Sequence, residues 1–367
     1  MKVLFMISHP AHFHMFRYAM EELAKDGHEV VSVIRPKDML EQLCIDAGLK
    51  FYKVKNRPKK WGMIGLGLFL IEKVIEVTKI TIKEKPDMLI GSDGVLAYVG
   101  KLTHIPSFEF FEDDYEVIKL YAKMFFPFYN HVVCPHICSA GKWEYKKVSY
   151  PGYQKLAYLY PNRFTPDINV VHKYFDINTP YFILRFAQLT AHHDVGMGGF
   201  TLEVAQKVID MLKPHGCIYI TSEKPLAPQF EQYRLKIDPL DIHHILAFAT
   251  LYMGDSQSMA VEASMLGTPC VRFNDFVGAK KIRVLEELEH VYGLTYGISS
   301  HEPERLYAKI QELLAMPNLR EEFQSRRQKM LADKIDVTAF FTWYIENYPA
   351  SATQAKNANE EFWKQFK

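Results

Sequence analysis

Three absences narrow the class of this 367-residue chain. Its five cysteines are an odd number scattered along the chain, which is typical of reduced thiols and not of a disulfide framework. Basic and acidic residues nearly cancel, 44 against 43, so no overall positive field favours nucleic acid. No apolar run reaches the roughly eighteen residues of a membrane span, and the apolar N-terminus stops at Ser8, too early for a signal peptide. We therefore expect a cytoplasmic protein.

The pattern that is present is that of an α/β protein. Hydrophobic residues make up 48% of the chain and charged residues 24%, which fits a folded protein long enough for two domains. Short apolar segments alternate with helical segments, including 200–212 and 258–266, which predicts parallel sheets covered on both faces. The predicted strands are 3–7, 29–34, 88–90, 108–111, 131–134, 181–186, 217–221, 251–253, 270–273 and 294–296.

Proline, glycine and aromatic residues cluster near the middle of the chain and interrupt any long element there. This break predicts a Rossmann-like domain over 1–160, a linker over 161–180 and a second Rossmann-like domain over 181–336. The last segment, 337–367, predicts a C-terminal helix.

The strongest local pattern is a strand that runs into a turn and then into a helix closed by Gly267. The turn consists of Gly254, Asp255, Ser256, Gln257 and Ser258. Gly254 lets the backbone approach a ligand, and Asp255 or Ser256 can cap the helix. The unpaired N–H groups and the helix dipole then favour a bound phosphate.

Glu262 follows Ser258 by four residues and shares its helical face. One helical turn, about 5.4 Å, matches the distance from a pyrophosphate to the ribose of the same nucleotide. The carboxylate of Glu262 can therefore accept hydrogen bonds from both ribose hydroxyls. The alternative is an ordinary strand, turn and helix with an exposed glutamate.

This region resembles the nucleotide-binding motif of GT-B glycosyltransferases and UDP-N-acetylglucosamine 2-epimerases. The likeness covers residues 245–256 and continues at Glu262, Leu266, Gly267, Pro269 and Arg272. Up to roughly residue 345, the chain looks like an uncharacterised GT-B-like family of bacteria and archaea described as predicted glycosyltransferases. The resemblance implies two Rossmann-like domains facing a central cleft. It also implies that the second domain binds the nucleotide-sugar as a substrate, without a cofactor, and that the last helix crosses back to the first domain.

Three histidines, His9, His12 and His14, follow the first predicted strand, where a doubly wound sheet opens onto its crevice. They are compatible with a solvated helix start, a metal site or a substrate contact, although no local carboxylate or cysteine completes a metal site. Residues 10–30 are similar to the opening of GT-B transferases, where a Pro-Gly-His loop precedes a helix ending in Gly-His-x-Val. On that match His12 takes the place of a general base, His14 is the alternative base, and Ala11 replaces the usual glycine.

Two acidic residues follow later strands of the first half. Asp93 and Glu112 look like two acidic positions of the 2-epimerases, and both should reach the same crevice as candidate catalytic groups. The alternative interpretations are a turn aspartate at 93 and a solvated acidic cluster over 112–114.

Arg185 and His192 follow the first strand of the second domain and are candidate substrate-binding residues, together with Arg272. A cation at Arg185 can neutralise a leaving diphosphate, so no catalytic metal is expected. The epimerases carry a His-Arg-Arg-Glu-Asn run at this strand and a later Thr-Glu-Arg-Pro-Glu run. Both are missing here, and 274–278 replaces the later one, which counts against epimerase chemistry.

Residues 57–71 combine a basic, tryptophan-containing start with a short apolar run, which suits the surface of an anionic membrane. A second aromatic group could extend that face: Tyr121, Phe125, Phe126, Phe128 and Tyr129. The alternative is a core helix packed on the sheet. The membrane interpretation predicts a peripheral protein at the inner face of the membrane and a lipid-linked acceptor.

These patterns together predict a glycosyltransferase that moves a sugar from a nucleotide diphosphate donor, a UDP-sugar by resemblance, to a hydroxyl acceptor. Cell-surface polysaccharide or glycoconjugate synthesis is the expected setting. The alternatives are a UDP-N-acetylhexosamine 2-epimerase and a non-catalytic nucleotide-sugar-binding protein.

Overall fold

A computed structural model describes residues 1–37, 39–55, 62–176, 178–186, 199–222, 225–277 and 282–367, with only the backbone described at 62–64 and 66. These residues form two compact units. Unit 1 contains residues 1–160 and 334–367, and unit 2 contains residues 161–333. Each unit is built on one parallel sheet, so the predicted α/β class is confirmed.

Unit 1 alternates strands and helices along its N-terminal part. Its elements there are β1 (Lys2–Ile7), α1 (Pro10–Lys25), β2 (Glu29–Ile34), α2 (Leu40–Asp46), β3 (Phe51–Lys53), α3 (Gly62–Glu84), β4 (Met88–Gly91), α4 (Val95–Thr103), β5 (Ser107–Phe110), α5 (Lys119–Phe125), β6 (His131–Pro135), β7 (Lys147–Tyr150) and α6 (Leu156–Leu159). The strands are all parallel, in the order β3-β2-β1-β4-β5-β6-β7. The winding reverses between β1 and β4, which is where a doubly wound sheet leaves room for a ligand.

The first strand shows why these segments lie at the centre of a sheet. Val3, Leu4, Phe5, Met6 and Ile7 are all 0% exposed, and β1 pairs with β2 on one side and β4 on the other. A continuous apolar run suits this position because helices cover both faces of a parallel sheet.

Helices cover the unit 1 sheet as two layers. Helix α1 contacts α2 and α6, whereas α3 contacts α4, and α4 contacts α5. Right-handed crossovers place the helices that lead from β1 to β3 on one face and those that follow the reversal on the other. Helices α3, α4 and α5 therefore form one layer, which we call the outer layer of unit 1.

Unit 2 repeats the design with five strands. Its elements are α7 (Ile168–His172), β8 (Tyr181–Phe186), α8 (Leu202–Leu212), β9 (Cys217–Ser222), α9 (Ile242–Phe248), β10 (Leu251–Gly254), α10 (Gln257–Leu266), β11 (Cys270–Phe273), α11 (Arg283–His290), β12 (Tyr296–Ile298), α12 (Pro303–Leu314) and α13 (Leu319–Asp333). The parallel order is β12-β11-β10-β8-β9, so this sheet reverses between β8 and β10.

The C-terminal segment belongs to unit 1 and forms three α-helices and a final 3-10 turn, so the prediction of one helix was wrong. The α-helices are α14 (Val337–Glu346), α15 (Ala350–Lys356) and α16 (Glu360–Trp363). Pro349, which has no backbone N–H to continue the helix, separates the first two. The side chain of Asn359 caps the third by accepting a hydrogen bond from the N–H of Phe362 at 3.0 Å.

The sequence pattern also missed two strands and displaced a third. Strands β3 and β7 are the outermost strands of their sheet and alternate or expose their side chains, so neither carries a continuous apolar run. Strand β12 begins two residues later than the predicted 294–296. None of the described helices combines the length and hydropathy needed to cross a bilayer.

Helix α14 is fixed to unit 1 by aromatic packing. The ring of Phe341 is 1% exposed, and its centroid lies 4.7 Å from that of Phe110 in β5 and 6.4 Å from that of Phe16 in α1. Aromatic pairs at this spacing add to the stability that burial itself provides.

We therefore expect Phe341→Ala to lower the free energy of unfolding by about 3 to 5 kcal/mol, because it leaves a cavity between α14 and the sheet. Urea denaturation followed by circular dichroism measures this. The control is Phe128→Ala, which truncates an aromatic ring that is 37% exposed in the same unit. An equal loss in both variants would contradict the role assigned to α14.

Candidate functional site

The predicted site residues gather at the switch point of each sheet. In unit 1, His12 follows β1 and Asp93 follows β4, the two strands between which the winding reverses. In unit 2, Arg185 lies in β8 and Ser256 follows β10, which flank the second reversal. Carboxyl ends of parallel strands share one edge, so residues distant in sequence become neighbours there.

Asp93 is the centre of the unit 1 cluster. Its carboxylate accepts a hydrogen bond from the Ser8 hydroxyl at 2.5 Å and one from the Val95 N–H at 3.2 Å. The Lys73 ammonium of α3 lies 3.1 and 3.3 Å from its two oxygens. Burial opposes the charged form, but Lys73 and these hydrogen bonds outweigh it and lower the pKa of Asp93 below its usual value. The residue is therefore a largely buried, ionised acceptor.

His12 is half-buried in the first turn of α1, near the same group of charges. Desolvation, helped by His9, Lys155 and Arg35 against the charge of Asp93, lowers the pKa of His12 to about 3. The imidazole is thus neutral at physiological pH, the state that a general base requires. Its Nδ1 atom is buried and has no hydrogen-bond partner among the described residues.

Glu112 belongs to the same region through Lys155. Its Oε1 atom accepts a hydrogen bond from the Gln154 N–H at 2.6 Å, and its Oε2 atom lies 3.3 Å from the Lys155 ammonium. Both side chains are largely buried. Burial first, and then the charge of Glu112, raise the pKa of neighbouring Asp113. The charge of Lys155 also lowers the pKa of His12, and the charge of Asp93 raises it. The two predicted acidic residues and the predicted base therefore lie in one region of unit 1.

A further carboxyl group, Glu109 in β5, lies inside the sheet. It is 1% exposed, and the Tyr121 hydroxyl donates a hydrogen bond to its Oε1 atom at 2.7 Å. Burial, assisted by the negative charge of Asp93, raises the pKa of Glu109 to about 8 in spite of hydrogen bonds that lower it. The group is therefore protonated at neutral pH, in contrast to Asp93.

In unit 2, residues 254–258 form a segment that we call the anion loop. Ser256 caps α10 as predicted, since its hydroxyl accepts a hydrogen bond from the Met259 N–H at 3.5 Å. The first N–H groups of α10 have no partner within the helix and carry its positive dipole end. Gly267 ends the helix in the left-handed conformation, with φ of 70°, as predicted.

Packing within the sheet requires a glycine at position 254. A methyl group there would lie 2.7 Å from Cβ of Arg185 and 2.9 Å from its carbonyl oxygen. The close approach that glycine permits is therefore to strand β8, which brings Arg185 beside the anion loop. Asn274, after β11, donates a hydrogen bond to the carbonyl of Asp255 at 3.2 Å and supports the loop from the other side.

Glu262 lies one helical turn beyond the anion loop but is not simply exposed. Its carboxylate is 13% exposed, and its Oε1 atom lies 3.4 Å from Nε2 of His243 in α9. The His243 ring in turn lies 6.0 Å from the ring of Phe164. The carboxylate of Glu262 therefore lies between α10 and α9, against the ring of His243.

The structure places Arg272 and His14, two other predicted site residues, against neighbouring side chains, and it does not describe a third, His192. The guanidinium of Arg272 lies 2.5 Å from Glu289 in a buried pair, so its charge is balanced inside unit 2. The ring of His14 packs on Tyr158 of α6, with 5.3 Å between the centroids. His192 lies outside the described residues.

Sequence reasoning missed Lys73, Lys155 and His243, the partners of the three candidate carboxylates. A signal for Lys73 was present, because it shares the buried face of α3 with Val77 and Thr81. A lysine on an inward helical face implies an acidic partner, since it is almost never buried alone. Within the described ranges, no group of three or more His, Cys, Asp or Glu side chains is arranged to hold a metal ion.

No sequence family and no curated protein matches the chain. Solved structures do match it along its whole length. A UDP-GlcNAc 2-epimerase from Neisseria meningitidis bound to UDP-GlcNAc is 14% identical, with a TM-score of 0.67 over 95% of this chain and 100% of that one. S. aureus MnaA, solved with UDP, is 14% identical, with a TM-score of 0.66 over 96% and 98%. The calicheamicin glycosyltransferase CalG4 is 13% identical, with a TM-score of 0.59 over 95% and 98%.

These likenesses establish the fold. The chain has the GT-B fold of two Rossmann-like domains, as the sequence resemblance implied, and this fold is shared by nucleotide-sugar epimerases and glycosyltransferases. The structures similar to it include both kinds of enzyme, so the fold leaves the reaction to be argued from the residues.

The pKa shifts predict opposite pH responses for two variants. Between pH 6.5 and about 3 the unfolded chain binds a proton at His12 that the folded chain does not, so stability falls as the pH falls. Between pH 4.5 and about 8 the folded chain keeps a proton on Glu109 that the unfolded chain releases, so stability falls as the pH rises. We expect His12→Gln to lose less stability than wild type on acidification, and Glu109→Gln to lose less on alkalinisation.

Urea unfolding over about pH 5 to about pH 8 measures both responses. The control is His215→Gln, which changes an exposed histidine of unit 2 and should follow the wild-type pH profile. Two variant profiles parallel to that of wild type would refute the pKa assignments.

Proposed function

We propose that the protein transfers a sugar from a nucleotide diphosphate donor, a UDP-sugar in the simplest case, to a hydroxyl acceptor. The observation that carries this proposal is the anion loop of unit 2 with Glu262 one helical turn beyond it, at the switch point of the sheet. The likeness to structures solved with UDP and with UDP-GlcNAc supports the choice of ligand.

The donor would be bound by unit 2. The N–H groups at Gln257 and Ser258, at the start of α10, would hold the diphosphate. Arg185, brought beside the loop by Gly254, would neutralise the charge that develops as the diphosphate leaves. Glu262, positioned by His243, would accept hydrogen bonds from the ribose hydroxyls. No resident metal or cofactor is required in this scheme.

The acceptor would be activated by unit 1. The neutral imidazole of His12 would take the proton of the acceptor hydroxyl while its oxygen attacks the anomeric carbon, and the sugar–phosphate bond would break with its electrons passing to the diphosphate. A pKa of about 3 makes free His12 a weak base. Asp93 and Glu112, each held by a lysine, would orient the acceptor.

The first rival function is a nucleotide-sugar 2-epimerase. That reaction needs proton removal at a carbon next to the anomeric centre. The two epimerase runs are absent at 185–193 and 274–278, and this absence favours transfer. The second rival, a binding protein without turnover, would use the same donor residues.

The reaction itself is testable with a panel of UDP-sugars and hydroxyl acceptors. We expect UDP release that depends on the acceptor, and a kcat for His12→Ala about 10² to 10⁴ lower with a smaller change in the donor KM. His14→Ala is the matched control on the same helix and should keep most activity. Mass spectrometry of the product identifies the transfer.

Incubation with UDP-N-acetylglucosamine alone separates the rivals. Release of UDP with a 2-epimerised sugar, without any acceptor, would refute transfer. Full turnover in His12→Ala would refute the assigned base, and binding without turnover across the whole panel would favour the binding protein.

The ribose contact has its own test. Wild type should bind UDP about 10- to 100-fold more tightly than 2′-deoxy-UDP, because hydrogen bonds to a charged group are worth about 1.5 to 3 kcal/mol. Glu262→Ala should bind both nucleotides with nearly equal, weaker affinity in calorimetry. Glu304→Gln, a change at an exposed glutamate of α12, should bind like wild type. Persistent discrimination in Glu262→Ala would contradict the role of this residue.

A further inference from the structure

The surface of the outer layer of unit 1 has an unusual composition. Apart from Gly67, every exposed side chain described on α3, α4 and α5 is either a large apolar residue or a lysine. The apolar residues are Leu68, Ile71, Ile75, Ile82, Leu102, Leu120 and Met124, and the lysines are Lys79, Lys83, Lys101, Lys119 and Lys123. An ordinary solvated helix face mixes charges of both signs with small polar residues.

Helix α3 carries the longest part of this surface. Leu68, Ile71, Ile75 and Ile82 follow each other at intervals of three, four and seven residues, so they form one stripe along the helix. Their exposed fractions are 57, 57, 48 and 63%. The buried face of α3 lies elsewhere on the helix, at residues such as Val77. The stripe is therefore a second apolar face that no described residue covers.

The charge of the surface is of one sign. The glutamates described on α3 are half-buried, and Glu76 lies 3.7 Å from Lys55, so the fully exposed charges on the three helices are lysines. Aliphatic side chains interleaved with lysines match the chemistry of an anionic lipid surface, into which the apolar groups insert while the ammonium groups meet lipid phosphates.

We propose that the outer layer of unit 1 docks on an anionic membrane, with α3 lying in the plane of the interface. The sequence placed the membrane contact at 57–71. Residues 57–61 lie outside the described part of the chain, and the structure moves the surface along α3 and onto α4 and α5. Of the predicted aromatic extension, Phe125, Phe126 and Tyr129 are buried and Tyr121 is half-buried, so these four do not form part of the surface, whereas Phe128 is exposed.

The position of this surface has a consequence for the acceptor. Lys73 of α3 pairs with Asp93, so Leu68 and Ile71 lie within about two helical turns of the cluster that contains His12. Membrane docking would therefore present a lipid-linked hydroxyl acceptor near the proposed base. This last step rests on the proposed transfer reaction, whereas the membrane surface itself does not.

The test is co-sedimentation of the full chain with vesicles in the absence of any sugar donor. We expect binding to vesicles of phosphatidylcholine with about 30% phosphatidylglycerol, and little binding to phosphatidylcholine alone. Raising the salt from about 0.1 M to about 0.5 M should weaken binding severalfold. The triple variant Leu68→Ser, Ile71→Ser, Ile75→Ser should bind at least about tenfold less.

The matched control is Leu240→Ser with Val291→Ser, which removes two exposed apolar side chains from unit 2 and should leave vesicle binding unchanged. Wild-type binding that is absent, or unaffected by the triple substitution, would overturn the proposal. A stable dimer in vesicle-free solution that the triple substitution dissociates would overturn it too, since the surface would then belong to a second copy. Because vesicle binding is read without turnover, its failure is distinct from a failure of the transfer assay.

Discussion

The parallel direction of all strands in each sheet is the constraint on which the rest of this structure depends. It brings every carboxyl strand end to one edge, and it forces a helix or loop to begin there. Because the winding reverses between β1 and β4, Ser8 and Asp93 become hydrogen-bonded although 85 residues separate them. The same reversal between β8 and β10 places Arg185 beside Gly254. A crevice can form at these two points because the connections that leave the two neighbouring strands run to opposite faces of the sheet.

Each candidate carboxylate at these edges is held by a partner from another element. Lys73 of α3 holds Asp93, Lys155 holds Glu112, and His243 of α9 contacts Glu262. Burying such charges costs free energy even when they are paired. These pairs therefore fix the positions of the carboxylates more than they stabilise the fold. Glu109 differs from them, because burial raises its pKa to about 8 and the group remains protonated at neutral pH. One sheet edge therefore holds carboxyl groups in two protonation states.

Helix α3 connects the two proposals. Its buried face delivers Lys73 to the strand ends, and its outer stripe faces solvent with aliphatic side chains. A helix that contacts the site on one side and a membrane on the other would bring a lipid-linked hydroxyl close to the proposed base without a conformational change. This arrangement uses only unit 1, so it would leave unit 2 for the proposed nucleotide site.

The sequence by itself determined the α/β class, most of the central strands, and the anion loop with a cap at Asp255 or Ser256 and its closing glycine at Gly267. The structure chose Ser256 as the cap. These features depend on local patterns, namely unbroken apolar runs and the conformational needs of a helix end. The edge strands β3 and β7 and the break at Pro349 were missed because short, half-covered segments carry weak patterns. Only the tertiary structure decided that Lys73, Lys155 and His243 hold the site carboxylates and that Arg272 pairs with Glu289. A charge pair between distant elements follows from how those elements pack, and neighbours in sequence do not reveal it.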